Sequence, residues 1–144
     1  MAQTYRLGPA RRLLNQLVTA LLRLGLGPGS TYLMTTTGRV SGQPRTTPVT
    51  LVEGDDGRWL VAPYGPVAWV HNVRATPGVS LRRGNRTLHL TAVEVPAPVA
   101  APVLRRYVQQ VAVTRPFFDA GPAAPVEAFE REAARHPVFA LVEP

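Results

Sequence analysis

The spacing of apolar positions changes several times along this chain, and each change marks an element. From Ala10 to Leu26, the residues Leu13, Leu14, Leu17, Val18, Leu21, Leu22 and Leu24 recur at the spacing of one helical face, so 10–26 reads as an amphipathic basic helix. Gly25, Gly27, Pro28 and Gly29 end it. It is too short, and too interrupted by Arg23, to span a bilayer. Two roles stay open for it: packing across the core, or a peripheral foot on a membrane or partner.

The period then shortens to that of β-strands. Tyr32 to Thr36, Thr46 to Val52 and Arg58 to Ala62 read as three strands, the last two joined by the hairpin turn at Glu53-Gly54-Asp55-Asp56-Gly57. Val67 to Ala75 reads as a short helix stopped before Pro77. Val79 to Arg83 and Arg86 to Val95 form a second hairpin about Gly84-Asn85. Helical spacing returns over Pro98 to Val113, and Phe129 to Arg135 closes a second C-terminal helix. Between these helices Pro116-Phe117-Phe118-Asp119 is a stiff aromatic loop, and Val138 to Val142 returns as a last strand. The pattern predicts one α+β, mainly β domain over 1–144: a small barrel of six mostly antiparallel strands with flanking helices, and 10–26 as an appendage.

Charge narrows the chemistry. The chain has 144 residues, a net charge of +7 and no cysteine, which excludes disulfides, thiolate catalysis and cysteine-ligated metals. All its basic side chains apart from histidine are arginines, which excludes a Schiff-base lysine. No Asp or Glu precedes Glu53, although Arg6, Arg11, Arg12, Arg23, Arg39 and Arg45 do. An arginine field without acids favours an anionic partner: a phosphorylated cofactor, a nucleic acid or an acidic membrane surface. No interleaved aromatic platform accompanies it, so nucleic acid is the least favoured. No secretory cleavage pattern follows Arg11 and Arg12, and the expected location is the cytoplasm, with membrane association through 10–26 as the alternative to packing of that helix on the core.

Two segments carry candidate chemistry. Thr35 to Pro48 concentrates hydroxyls, Gly38, Gly42, Arg39 and Arg45 between apolar runs, the composition of a turn that holds an anion with backbone N–H groups and guanidinium forks. It lacks both the Walker and the dinucleotide glycine spacing, and a solvated hairpin with two surface arginines would share its composition. Val61 to Arg74 runs from a strand end through Pro63-Tyr64-Gly65-Pro66 into a helix with Trp69 in its first turn. Free N–H groups at the helix start, beside an aromatic wall, suit a planar heterocycle with ring carbonyls, whereas a core tryptophan is the ordinary alternative. His89 and His136 lie on separate elements without ligand spacing, so no metal site is expected.

Leu33-Met34-Thr35-Thr36-Thr37-Gly38-Arg39, Ser41-Gly42-Gln43-Pro44-Arg45 with Pro48, Trp69 with Asn72, and Arg74-Ala75-Thr76-Pro77 together resemble the deazaflavin (F420)-dependent nitroreductase family of actinobacteria. The resemblance runs in order from about Tyr32 to the C-terminus. It implies a split β-barrel of the FMN-binding type that uses reduced F420 to pass a hydride to quinones, nitroaromatics or other activated acceptors. By that resemblance Gly38, Arg39, Val40, Ser41 and Arg45 hold the anionic tail, and Thr46, Thr47 and Pro48 follow the ribityl chain. Val61, Ala62, Pro63 and Tyr64 edge the ring, and Ala68, Trp69 and Asn72 form the opposite wall.

Departures from the family pattern shape the expectation. Val40 stands where a base often follows Gly-Arg, Pro63-Tyr64 replaces a Ser-Lys pair, and Arg115 to Ala120 carries no tyrosine. Phe117 and Phe118 would face the substrate and favour an apolar, quinone-like acceptor, with Tyr64 as the proton donor ahead of His71. The alternatives are an FMN-dependent reductase and a non-catalytic cofactor or lipid carrier on the same barrel. A monomer or a homodimer fits either reading.

Overall fold

The computed structural model describes Arg12 and residues 30–144; the helix expected over 10–26 lies otherwise outside the described residues. Six strands, β1 (Thr31–Thr37), β2 (Pro44–Gly54), β3 (Gly57–Val61), β4 (Gly78–Arg83), β5 (Arg86–Glu94) and β6 (Val138–Val142), close into a barrel in the order β1-β2-β3-β6-β5-β4. Every pairing is antiparallel. Closure gives every one of these strands two hydrogen-bonded neighbours.

Period-two alternation explains how one sheet serves two cores. Leu51 pairs with Leu60 and Leu60 with Phe139, and all three join Met34, Leu81 and Leu90 in one buried cluster. Their sequence neighbours Val52, Val61 and Val138 point the other way, into a second cluster with Leu104, Val108 and Phe129. That second cluster lies under α2 (Ala97–Gln110) and α3 (Val126–Glu132), whose apolar stripes it buries. Each fully buried Leu, Val or Phe contributes about 1.5–3 kcal/mol of transfer free energy. The hairpins turn where glycine relieves the backbone, at Gly57 (φ 111°) and Gly84 (φ 64°).

The strands lie within two residues of their sequence-based bounds, but two helices do not follow theirs. α2 stops at Gln110 instead of running to Val113, because Arg115 folds back to donate to the carbonyls of Val108 (2.9 Å) and Gln109 (3.3 Å). A 3₁₀ turn, Ala112–Phe117, follows. The last helix starts earlier than expected, at Val126, and ends in a 3₁₀ turn, Ala133–Arg135. Between β3 and β4 a single short helix, α1 (Ala68–Ala75), crosses the barrel beside β1.

Candidate functional site

The β1–β2 turn is built around glycine and its own backbone. Gly38 N–H donates to Gln43 O (2.8 Å), Gly42 N–H to Gly38 O (2.9 Å), and Gln43 N–H to Ser41 Oγ (3.1 Å). Gly42 takes φ 70°, and a Cβ on Gly38 would stand 2.8 Å from Ser41 Oγ. The turn is therefore closed tightly, with Val40 at its tip, 92% exposed.

α1 meets this turn through one buried amide. Asn72 Oδ1 accepts from Arg39 N–H (3.1 Å) and Arg39 Nη1 (3.2 Å), while Asn72 Nδ2 donates to Thr36 Oγ1 (3.3 Å). Arg39 Nη1 also reaches Ala68 O (3.3 Å). Arg39 is thus a tie between turn and helix. Arg45, one strand position along β2, makes no hydrogen bond or ion pair to any described residue. Val67, which precedes α1, caps it with no side chain, and no acid lies in its first turn.

A cleft of about 780 Å³ joins these parts. One end is the turn, with Gly38, Arg39, Val40, Ser41 and Arg45; β2 supplies Thr46, Thr47 and Pro48 along the floor. Val61, Pro63, Tyr64, Ala68, Trp69 and Asn72 line the cleft as well. Trp69 serves both alternatives raised for it, since its ring also packs on Phe139 in the barrel core at 6.0 Å. Thr31, Thr50 and Tyr107 add polar atoms that sequence reasoning missed. Tyr107 falls on the buried stripe of Val103, Leu104 and Val108, and a polar-tipped ring on such a stripe was the available signal.

Three expected site residues stand elsewhere. Ala62 is buried in the barrel cluster and does not line the cleft. Phe117 and Phe118, expected at the mouth, are buried behind the wall: Phe117 meets Tyr64 edge-on at 4.8 Å, and Phe118 stacks on His136 at 4.0 Å. The early end of α2 puts Val111, Val113 and Thr114 at the cleft in their place. His71 is exposed and does not line the cleft.

The model of the F420H(2)-dependent quinone reductase family matches residues 16–119, the span that contains the turn, α1 and the cleft floor. The chain belongs to this family. An F420H(2)-dependent quinone reductase of Mycobacterium tuberculosis is 34% identical over 73 residues, 48% of this chain and 49% of that protein. The chain thus spans about half the length of the curated relatives it matches. Among solved structures, an F420-H2 dependent reductase (FDR-A) is 27% identical, covering 78% of this chain and 93% of that one at a TM-score of 0.53. The heme storage protein HutZ of Vibrio cholerae shares the fold at 14% identity and a TM-score of 0.56, covering 97% of this chain and 92% of that one.

In this family member the far end of the cleft is a cluster of hydroxyls. Thr114 Oγ1 donates to Val111 O (2.8 Å), and Tyr107, which lines the same cleft, has an almost wholly buried ring. Burial first, and the nearby Tyr64 second, hold the Tyr107 phenol protonated well above the ordinary tyrosine range. Tyr107 is therefore a neutral hydrogen-bonding group in a cleft that Tyr64, Val111 and Val113 also line. Among the described residues no helix is long and apolar enough to cross a membrane.

Proposed function

We propose that this chain binds reduced F420 along the cleft and acts as an oxidoreductase on an apolar, quinone-like acceptor. One observation carries the reading: one cleft brings together an arginine turn without acids and, tied to it through Ala68 and Asn72, the helix that carries Trp69. The residues fit such a group. Arg45 has donors that no described residue takes, and Ser41 and the N–H groups at the start of α1 add more. A cofactor phosphate and γ-glutamyl carboxylates are the anions that this end would take. Trp69, Ala68, Val61 and Pro63, which all line the cleft, would form the walls around a flat ring.

Bound there, reduced F420 would supply the hydride, and the protein has no need of a charged catalytic dyad. The residues would orient and exclude water. Tyr64 and Tyr107 would hydrogen-bond an acceptor oxygen, with Tyr64 donating the proton that accompanies reduction. Val111 and Val113 would bound the acceptor on its apolar side, the part first expected of the phenylalanines.

Equilibrium titration with F420, followed by turnover of reduced F420 with menadione, tests this directly. Binding in the micromolar range with quinone-dependent loss of reduced deazaflavin is expected. Binding without turnover on any quinone would favour the carrier, and binding of FMN in place of F420 would favour the flavin reductase.

A further inference from the structure

Behind the cleft wall lies a buried polar pair that the proposed chemistry does not use. His136 and Glu132 are 3% and 2% exposed. His136 Nδ1 lies 2.9 Å from Pro63 O, and Nε2 lies 2.9 Å from Glu132 Oε1. A carbonyl only accepts, so Nδ1 carries a proton, and a second proton is needed between Nε2 and the carboxyl oxygen. Glu132 is also the acceptor for two backbone donors, Asp119 N–H (3.1 Å to Oε1) and Ala120 N–H (2.7 Å to Oε2). The Phe118 ring stacks on the imidazole at 4.0 Å and 21°. Arg135, 3.8 Å from Glu132 and bonded to Asp119 at 2.7 Å, closes the unit at the surface.

The unit joins two segments that are distant in sequence. Pro63 and Tyr64 line the cleft, and 117–120 follows the turn that carries Val113 and Thr114 into it. Around Tyr64 the chain leaves β3 at Val61, Ala62 N–H bonds Pro137 O (2.9 Å), and Gly65 N–H reaches Ala62 O at a long 3.3 Å. A buried polar pair is a poor filler, since an apolar side chain of like size would stabilise the core as well or better. What it provides over an apolar residue is direction.

We infer that His136 is a positioning residue which, with Glu132, locks the Pro63–Tyr64 edge of the cleft to the 117–120 segment behind it, so that the two move as one. The effect on cofactor and acceptor rests on the proposed function; the mechanical coupling does not.

Two measurements test it on the full chain. Amide hydrogen exchange of the parent, His136→Leu and His136→Gln is read at Gly65, Asp119 and Ala120. We expect His136→Leu to accelerate exchange at least tenfold at all three, and His136→Gln to restore protection on one side only. Acceleration on one side alone in His136→Leu, or on neither, overturns the coupling. If the leucine variant does not fold, the glutamine variant together with Glu132→Gln gives the same comparison. The second measurement is F420 affinity and menadione turnover. For His136→Leu, kcat should fall at least tenfold while F420 affinity through the tail changes less than threefold. Equal losses in both overturn the positioning role, and a parent that binds no F420 overturns the proposed function while leaving the exchange result to be judged alone.

Discussion

Arg45→Ala separates binding from folding more cleanly than any other change to the cleft. Arg45 is exposed on β2, lines the anionic end and bonds no described residue, so removing its guanidinium costs the fold almost nothing. Its contact with a cofactor anion would be charge-assisted, a type of bond that contributes about 1.5–3 kcal/mol net. Exposure and screening bring that down, toward the about 0.2–1 kcal/mol of surface pairs. A guanidinium facing a phosphate in a half-closed cleft lies between, at about 1–2 kcal/mol, which weakens F420 binding roughly 5- to 30-fold. Added salt should weaken the parent more than the variant, because the variant has lost one of the screened contacts. The assay is equilibrium titration with F420 at low and at 0.5 M salt, beside thermal unfolding of both proteins. An affinity within twofold of the parent would refute the placement of the tail at Arg45. A fall in unfolding temperature of more than a few degrees would show instead that Arg45 holds the turn.

Arg39→Ala should behave differently: it breaks the tie to Asn72 and Ala68, so stability falls by about 1 kcal/mol along with affinity, as urea unfolding will show. Asn72→Ala strands Arg39 N–H and Thr36 Oγ1 around a buried gap and should cost about 1–3 kcal/mol by the same measurement. Gly38→Ala places a Cβ 2.8 Å from Ser41 Oγ and 3.1 Å from Gln43 O; the strain of about 1–3 kcal/mol should appear in unfolding, and the displaced turn in a weaker F420 titration. Tyr107 keeps its proton in the fold at pH values where the unfolded chain has lost it. Its contribution is complete below pH 10 and disappears as pH rises beyond, at about 1.4 kcal/mol per pH unit. Urea midpoints at pH 9, 10 and 11 should therefore converge between the parent and Tyr107→Phe as pH rises, and parallel curves would show that the phenol is not shielded.

The barrel was legible because its signals are local. Alternation along β2 and β3 separates Leu51 and Leu60 from Val52 and Val61, and glycines stand at both tight hairpins. The end of α2 was not legible, since Val111 and Val113 continue the apolar spacing, and the stop comes from a side chain four residues beyond Val111 reaching back to Val108 and Gln109. That one boundary decides which residues meet the cleft. With the helix continued to Val113, Phe117 and Phe118 fall at the mouth; with it stopped at Gln110, a 3₁₀ turn brings Val113 and Thr114 forward and leaves both rings behind Tyr64 and against His136. Adjacent rings buried together obey no period, so no pattern in the sequence places them. The Glu132–His136 pair was open to reading as an i,i+4 contact, but its link to Pro63, 73 positions away, is a tertiary fact.

The distribution of ion pairs sharpens what the arginine content means. Arg58 bonds Glu53, Arg74 bonds Glu94, Arg106 bonds Asp56 and Arg135 bonds Asp119, all outside the cleft lining. Within the lining stand Arg39 and Arg45, and no Asp or Glu. An excess of arginine caused only by genome composition would scatter cations without regard to acids; here acids neutralise arginines around the barrel and are missing where the cleft begins. The charge left over is focused at one end of a concave, largely apolar site, where it raises the local concentration of anions and acts on them over about 8–10 Å at ordinary ionic strength. Substituting an acid into that end tests the field itself: Val40→Glu touches no packed side chain, leaves stability unchanged, and should slow F420 association several-fold at low salt while the difference vanishes at high salt. Stopped-flow binding at two ionic strengths measures this, and a deficit that persists in high salt would mean that Val40 contacts the ligand directly and that the field plays no part.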